Sequence, residues 1–225
     1  GFYRYVDGQQ QLPDEPAIAQ ASPCPVWISQ DDPDSAAQLA ELVNAAGWPL
    51  ESTDQPSSQA LCLLTPLGED TTSCALRQGL NAEQCVAVDM LAGLDKRRSL
   101  MASPITRPAL TQAAASLLNA DGTPVSTLHD SNGFVLQRVV ACIVNVGADI
   151  AQQGVAAPAT IDRAVELGLG YPFGPLRMGD HYGASHILTV LNNLLDATGD
   201  PRYRPSPWLR RRAALGMSLT DGPTS

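Results

Sequence analysis

From Pro25 to Leu128 the apolar residues fall into short runs separated by amphipathic stretches. From Phe134 onward they recur every three or four positions. The first pattern predicts strands alternating with helices, the second a helical domain. Val26-Trp27-Ile28-Ser29 suits a buried strand. Asp32 and Pro33 then supply an N-cap and a first-turn proline. Ala36, Leu39, Ala40, Val43 and Ala46 keep helical spacing, and Gly47 ends the helix. Trp48–Ser52, Ala60–Leu64, Cys85–Asp89 and Arg98–Ala102 are further strand candidates. Thr71–Gly79 and Arg107–Asn119 read as helices, and Pro124–Leu128 as a last strand. Such alternation argues a mostly parallel sheet of Rossmann type.

The second half begins with Phe134–Gln153, apolar on nearly every side and so expected to be buried on more than one face. Ile161–Leu167 reads as a short helix begun by Pro158 and ended by Gly168. Ala184–Ala197 places Ile187, Leu188, Leu191, Leu194 and Leu195 on one stripe, with Gly199 past its end. Ser206 caps a last helix, Pro207–Leu215. Three segments result: a polar tail and linker over 1–24, an α/β domain over 25–129 and a helical domain over 130–225.

The 225 residues carry a net charge of −9, which disfavours nucleic acid and anionic membranes because phosphates would be repelled. Arg210-Arg211-Arg212, the one basic cluster, reads as the charged end of a surface helix. No uninterrupted apolar run reaches about 18 residues, so no membrane-spanning helix is expected. Gly1 to Gln11 lacks a basic region followed by an apolar one, so it is not a secretory signal; a cytoplasmic protein is expected. The five cysteines are widely spaced and read as reduced thiols, with no CxxC or Cys/His pairing to suggest a metal.

Little catalytic machinery is visible. The loop after the first strand, Ser29-Gln30-Asp31-Asp32-Pro33, has no glycine and places two carboxylates where a pyrophosphate would need backbone amides. No NAD is expected on this chain. The only histidines are His129, His181 and His186. Asp180, His181 and His186 would make a small acid–base cluster if they converged. The two histidines are five apart, off a common helix face, so surface or capping roles are the simpler reading.

The stretch Asp130–Leu219 combines the Gly133-Phe134 helix entry, the long apolar helix, the turn Gly170-Tyr171-Pro172-Phe173-Gly174-Pro175 and the Pro205-Ser206-Pro207 cap. It resembles the C-terminal helical domain of the 3-hydroxyacyl-CoA dehydrogenases. That resemblance implies an α/β plus all-α chain: a degenerate Rossmann-like parallel-sheet domain, then a helical domain like the C-terminal domain of 6-phosphogluconate dehydrogenase. It also implies a catalytic set of a His base, a Glu that orients it, and a Ser and an Asn near the reacting oxygen. The matching positions here hold Leu100, Gln112, the Asp89–Ala92 turn and Gln137. Leucine takes no proton, Gln112 has no charge, and Gln137 extends the amide by one methylene, about 1.5 Å. No catalytic residue is therefore expected.

Gly1-Phe2-Tyr3-Arg4-Tyr5 resembles the end of a first helical domain in bacterial members that carry two copies, such as those of phenylacetate and related acyl-CoA degradation. The resemblance then implies a degenerate second half, inactive alone, in a parent that uses NAD to oxidise a 3-hydroxyacyl-CoA to the 3-ketoacyl-CoA. Its partner would be the upstream catalytic half, or a second copy of the helical domain. Phe134, Val135, Val139, Tyr171, Phe173 and Pro175 are the expected contact residues. Two alternatives stand beside this: an acyl-CoA-binding module with Lys96-Arg97-Arg98 as its anion site, and an unrelated small enzyme using Asp180, His181 and His186.

Overall fold

Asp7 and Gly8 both have positive φ, 50° and 77°, and close a hairpin of β1 (Arg4–Val6) and β2 (Gln9–Gln11). Both central residues of such a tight turn need that conformation, and Asp-Gly supplies it. Within the expected tail and linker over 1–24, residues 4–11 thus form a hairpin. The structure, a computed structural model, describes residues 4–11, 15 and 17–222; Gly1, Phe2 and Tyr3 of the first motif lie outside them.

Five strands form the main sheet in chain order: β3 (Val26–Ile28), β4 (Leu61–Leu64), β5 (Cys85–Val88), β6 (Arg98–Ala102) and β7 (Val125–His129). All neighbours are parallel except β5 and β6, which are antiparallel. Residues 89–97 are too few for the crossover of a dozen or more that a parallel return requires. The expected strand at Trp48–Ser52 is reduced to one bridge, Leu50 to Val26. Pro49 can offer only its carbonyl, which accepts from the Val26 amide at 2.8 Å. Leu50 still lies on the far side of β3 from β4. The chain therefore reverses direction across the sheet between β3 and β4, the crevice where open α/β folds bind ligands.

Strand alternation divides the core into two layers. Val26, Ile28, Leu61, Leu63, Val86, Val88 and Leu100 face α1 (Pro33–Ala45) and α3 (Pro108–Leu118). Trp27, Cys62, Leu64, Cys85, Ala87 and Met101 face α2 (Thr71–Arg77) and Phe134. Phe134, from the threshold of the helical half, is thus buried in the second layer of the sheet.

The helical half is built around α4 (Val135–Gln152), which packs against α5 (Pro158–Leu169), α6 (Pro175–Tyr182), α7 (Ala184–Thr198) and α8 (Pro207–Leu215). By length and composition α4 is apolar enough to cross a membrane, against the sequence expectation. Here it is a core helix with buried polar anchors. Asn145 donates to the Arg204 carbonyl and accepts from the Ser206 amide. It is not buried all round: Val135, Val139 and Val146 are more than half exposed. Gly168 does not end α5; Gly170 does, with φ of 67°.

α6 was not foreseen. Pro172, Gly174 and Pro175 suggested an irregular turn, yet Pro175 opens a helix. The buried Asp162 of α5 accepts from the Leu176 and Arg177 amides at 2.8 and 3.0 Å, capping α6 from a neighbouring helix. A Cβ at Gly174 would lie 2.2 Å from the Asp162 Cα, so only glycine fits.

Candidate functional site

The two halves meet at the loop after β4 and the end of β5, and Gln137 is bonded to both. It lies in the first turn of α4 and is fully buried. Its Oε1 accepts from the Gly68 amide at 2.9 Å. Its Nε2 donates to the Pro66 carbonyl and to Asp89 Oδ1, each at 3.0 Å. One amide thus fastens the helical half to the loop after β4 and to the end of β5. Asn193 of α7 adds a bond to the Leu67 carbonyl at 2.8 Å. Gly68 (φ 83°) approaches α7 so closely that a Cβ would lie 2.6 Å from the Val190 carbonyl oxygen. Asp130 accepts from the Thr71 and Thr72 amides and from the Thr72 hydroxyl, capping α2.

This junction uses up the groups that chemistry would need. A hydrogen-bonded side-chain amide with no exposure cannot reach a reacting oxygen. Leu100 is fully buried in the α1/α3 layer, whereas Gln112 is exposed on α3. Neither lies on the junction. Asp89, at the turn expected to supply a serine, is a buried carboxylate. Burial pushes its pKa up, opposed by the bonds from Gln137 and the Leu91 amide.

The residues around the β3–β4 crevice do not fit a dinucleotide. Asp32 caps α1, accepting from the Asp34 amide at 3.2 Å and the Ser35 hydroxyl at 2.6 Å. A carboxylate therefore stands where a pyrophosphate would dock. Across the crevice, Arg77 pairs with Asp31 at 2.7 Å and with both oxygens of Glu69. These two carboxylates raise the Arg77 pKa further. The crevice is thus bridged by its own side chains.

The other candidates also disperse. Arg98 is buried and donates to Leu94, Leu118 and both oxygens of Asp121; Arg97 pairs with Glu15 and Ser126. That corrects the expectation that Lys96-Arg97-Arg98 offers an anion site, since both guanidiniums are occupied. Asp180 accepts from Ser218 and the Leu219 amide. His181 packs against Phe173 and Tyr182, while His186 contacts the Tyr182 carbonyl. Asp180, His181 and His186, the candidates for a small enzyme, are thus each engaged with different partners. Among the described residues no group of His, Cys, Asp and Glu has metal-binding geometry. Of the expected contact residues, Val135 and Val139 are exposed, and Tyr171 and Phe173 are half-buried against the helical core. Phe134 joins the two halves within the chain. Pro175 is buried against Gly147, whose Cβ would lie 2.7 Å away, so it is no outer contact.

The model of the 3-hydroxyacyl-CoA dehydrogenase C-terminal domain matches residues 133–220. A 3-hydroxyadipyl-CoA dehydrogenase of Escherichia coli K12 is 37% identical over 153 residues, 68% of this chain and 31% of that protein. The helical half is a 3-hydroxyacyl-CoA dehydrogenase C-terminal domain. A solved 3-hydroxybutyryl-CoA dehydrogenase from Escherichia coli K12 aligns with this chain at a TM-score of 0.62 and 36% identity, over 68% of this chain and 31% of that one. The (S)-3-hydroxybutyryl-CoA dehydrogenase of Ralstonia eutropha covers more, 88% of this chain and 71% of its own, at a TM-score of 0.64. With 20% identity it bears on the fold alone. The matched part thus spans less than a third of the E. coli dehydrogenase.

Sequence reasoning picked out Gln137 but not its work. Asn193, Gly68 and Asp162 were missed. Gly68 follows Pro66 and Leu67 at the end of a strand, a turn signal that was available. Nothing local marks Asn193 or Asp162.

Proposed function

We propose that this chain is the non-catalytic second copy within a larger NAD-dependent 3-hydroxyacyl-CoA dehydrogenase of acyl-CoA degradation, the phenylacetate type included. Its role is to pair helical domains and to shape the acyl pocket of the catalytic copy; it binds no NAD itself, and the enzyme is cytoplasmic. The observation that carries this reading is the engagement of Gln137. The amide expected near a reacting oxygen is buried and holds the two halves together. Two further observations support it. Leu100, where the base is expected, is a core residue, and the Asp89 carboxylate would repel an oxyanion developing beside it. The exposed Val135, Val139 and Val146 stripe on α4 supports pairing, because an apolar face of this kind favours a covering partner.

The test is dehydrogenase activity of the isolated chain and of the chain joined to, or mixed with, a catalytic copy. The isolated chain forms no NADH from 3-hydroxybutyryl-CoA or 3-hydroxyadipyl-CoA, and addition to the catalytic copy changes its KM for acyl-CoA. Turnover by the isolated chain overturns the proposal.

A further inference from the structure

Beside the junction lies a pocket of about 220 Å³, lined by Asp89, Ala92, Gly93, Arg97, Ser99 and Leu136. Asp89 is only 7% exposed. Both of its recorded bonds, from the Gln137 side chain and the Leu91 amide, fall on Oδ1. Among the described residues Oδ2 has no hydrogen-bond partner, and neither has Ser99 Oγ. The Asp89 backbone is fixed at this place by its amide, which donates to the Ser99 carbonyl at 3.0 Å. Asp89, just past β5, and Ser99 of β6 thus line one small pocket, with Leu136 as its apolar wall.

The charge of Asp89 is the unusual element. Its two donors are neutral, and among the described residues no cation forms an ion pair with it. Arg97 contributes a wall, but its guanidinium is held by Glu15 and Ser126. A buried carboxylate with neutral donors on one oxygen keeps much of its desolvation cost. A ligand cation placed against the other oxygen would offset that cost. Ser99 Oγ can accept a second N–H from the same group, and Leu136 can cover a short alkyl chain.

The geometry points to a binding site for a small primary ammonium group, seated between Asp89 Oδ2 and Ser99 Oγ with its alkyl chain against Leu136. This is independent of the dehydrogenase reading, since it concerns an isolated pocket of the folded chain.

The experiment titrates the full chain with n-butylammonium and, separately, with 1-butanol, following backbone and side-chain amide resonances. Expected is saturable binding of n-butylammonium, at least tenfold stronger than that of 1-butanol, with shifts centred on Asp89, Leu91, Ser99 and the Gln137 side-chain amide. Asp89→Asn, which keeps an acceptor for Gln137, lowers the association at least tenfold. Leu136→Trp narrows the rim without touching the carboxylate and also weakens binding, which decides the matter if Asp89→Asn fails to fold. Equal binding of the two probes, shifts scattered over other acidic surfaces, or undiminished binding in either folded variant overturns the assignment.

Discussion

The side-chain oxygen of Gln137 accepts the backbone amide of Gly68 at 2.9 Å, across 69 positions of sequence. Replacing Gln137 leaves that amide, the Pro66 carbonyl and Asp89 short of a partner in a buried place. Gln137→Ala is expected to lower unfolding stability by about 2–4 kcal/mol, since buried groups without partners each cost about 1–3 kcal/mol. Gln137→Asn, shorter by one methylene, also loses stability and gains no dehydrogenase activity. Urea denaturation and an NADH assay check both. A neutral Gln137→Ala would show that the junction does not depend on this amide.

Gly68→Ala probes the same junction through shape alone. The added carbon would meet the Val190 carbonyl oxygen at 2.6 Å, in a φ of 83° that alanine adopts poorly. A loss of about 2–4 kcal/mol is expected from steric displacement and backbone strain together. The two halves should then melt separately, so calorimetry should show two transitions where the parent chain shows one.

Stability should respond to pH through two carboxylates with opposite signs. Burial raises the pKa of Asp89, so the folded chain holds that proton more tightly than the unfolded chain. Its stabilising contribution is present below the unfolded pKa, about 3.9, and is lost as pH rises through the higher folded value. Asp89→Asn lacks this loss, so its melting temperature should gain on the parent as pH rises through that window. A difference that stays flat over the window contradicts the assignment.

Asp121 behaves in reverse, because the Arg98 guanidinium beside it holds its carboxyl well below the usual range. Its contribution is present above about pH 3.9 and is lost as pH falls toward the folded pKa. The destabilisation by Asp121→Asn should therefore shrink on acidification. Thermal melts between neutral pH and strong acid measure it.

Charge placed on the open face of α4 tests pairing. Val139→Asp and Val146→Asp alter exposed positions and should change unfolding stability by less than about 0.5 kcal/mol, the usual range for surface changes. Sedimentation should show the parent chain self-associating at high micromolar concentration and the double variant remaining monomeric. A monomeric parent chain removes the argument for this face.

Much of the fold could be read from local chemistry. The Asp32-Pro33 start of α1 and the Ser206 cap of α8 are written in adjacent residues, and both caps are present. Features made by distant residues were not legible. β6 was identified as a strand, but its antiparallel direction follows from the short return over 89–97. The turn at Gly174-Pro175 becomes a helix because Asp162 reaches it from α5. At the site, Gln137 was legible as a position of interest, whereas Leu100 and Gln112, singled out with it, lie away from the junction. The bonds that Gln137 makes to Pro66, Gly68 and Asp89 were not, since no periodicity connects an α4 side chain to those backbone groups.

The close seating of Gly68 on α7 has a mechanical consequence. With Gln137 and Asn193 bonded to the same loop, the sheet and the bundle meet without slack and should respond to load as one solid piece. A protein that grips the open face of α4 therefore takes hold of the sheet as well. Little internal freedom remains to be lost when that grip forms, so even a modest apolar contact can yield a lasting assembly.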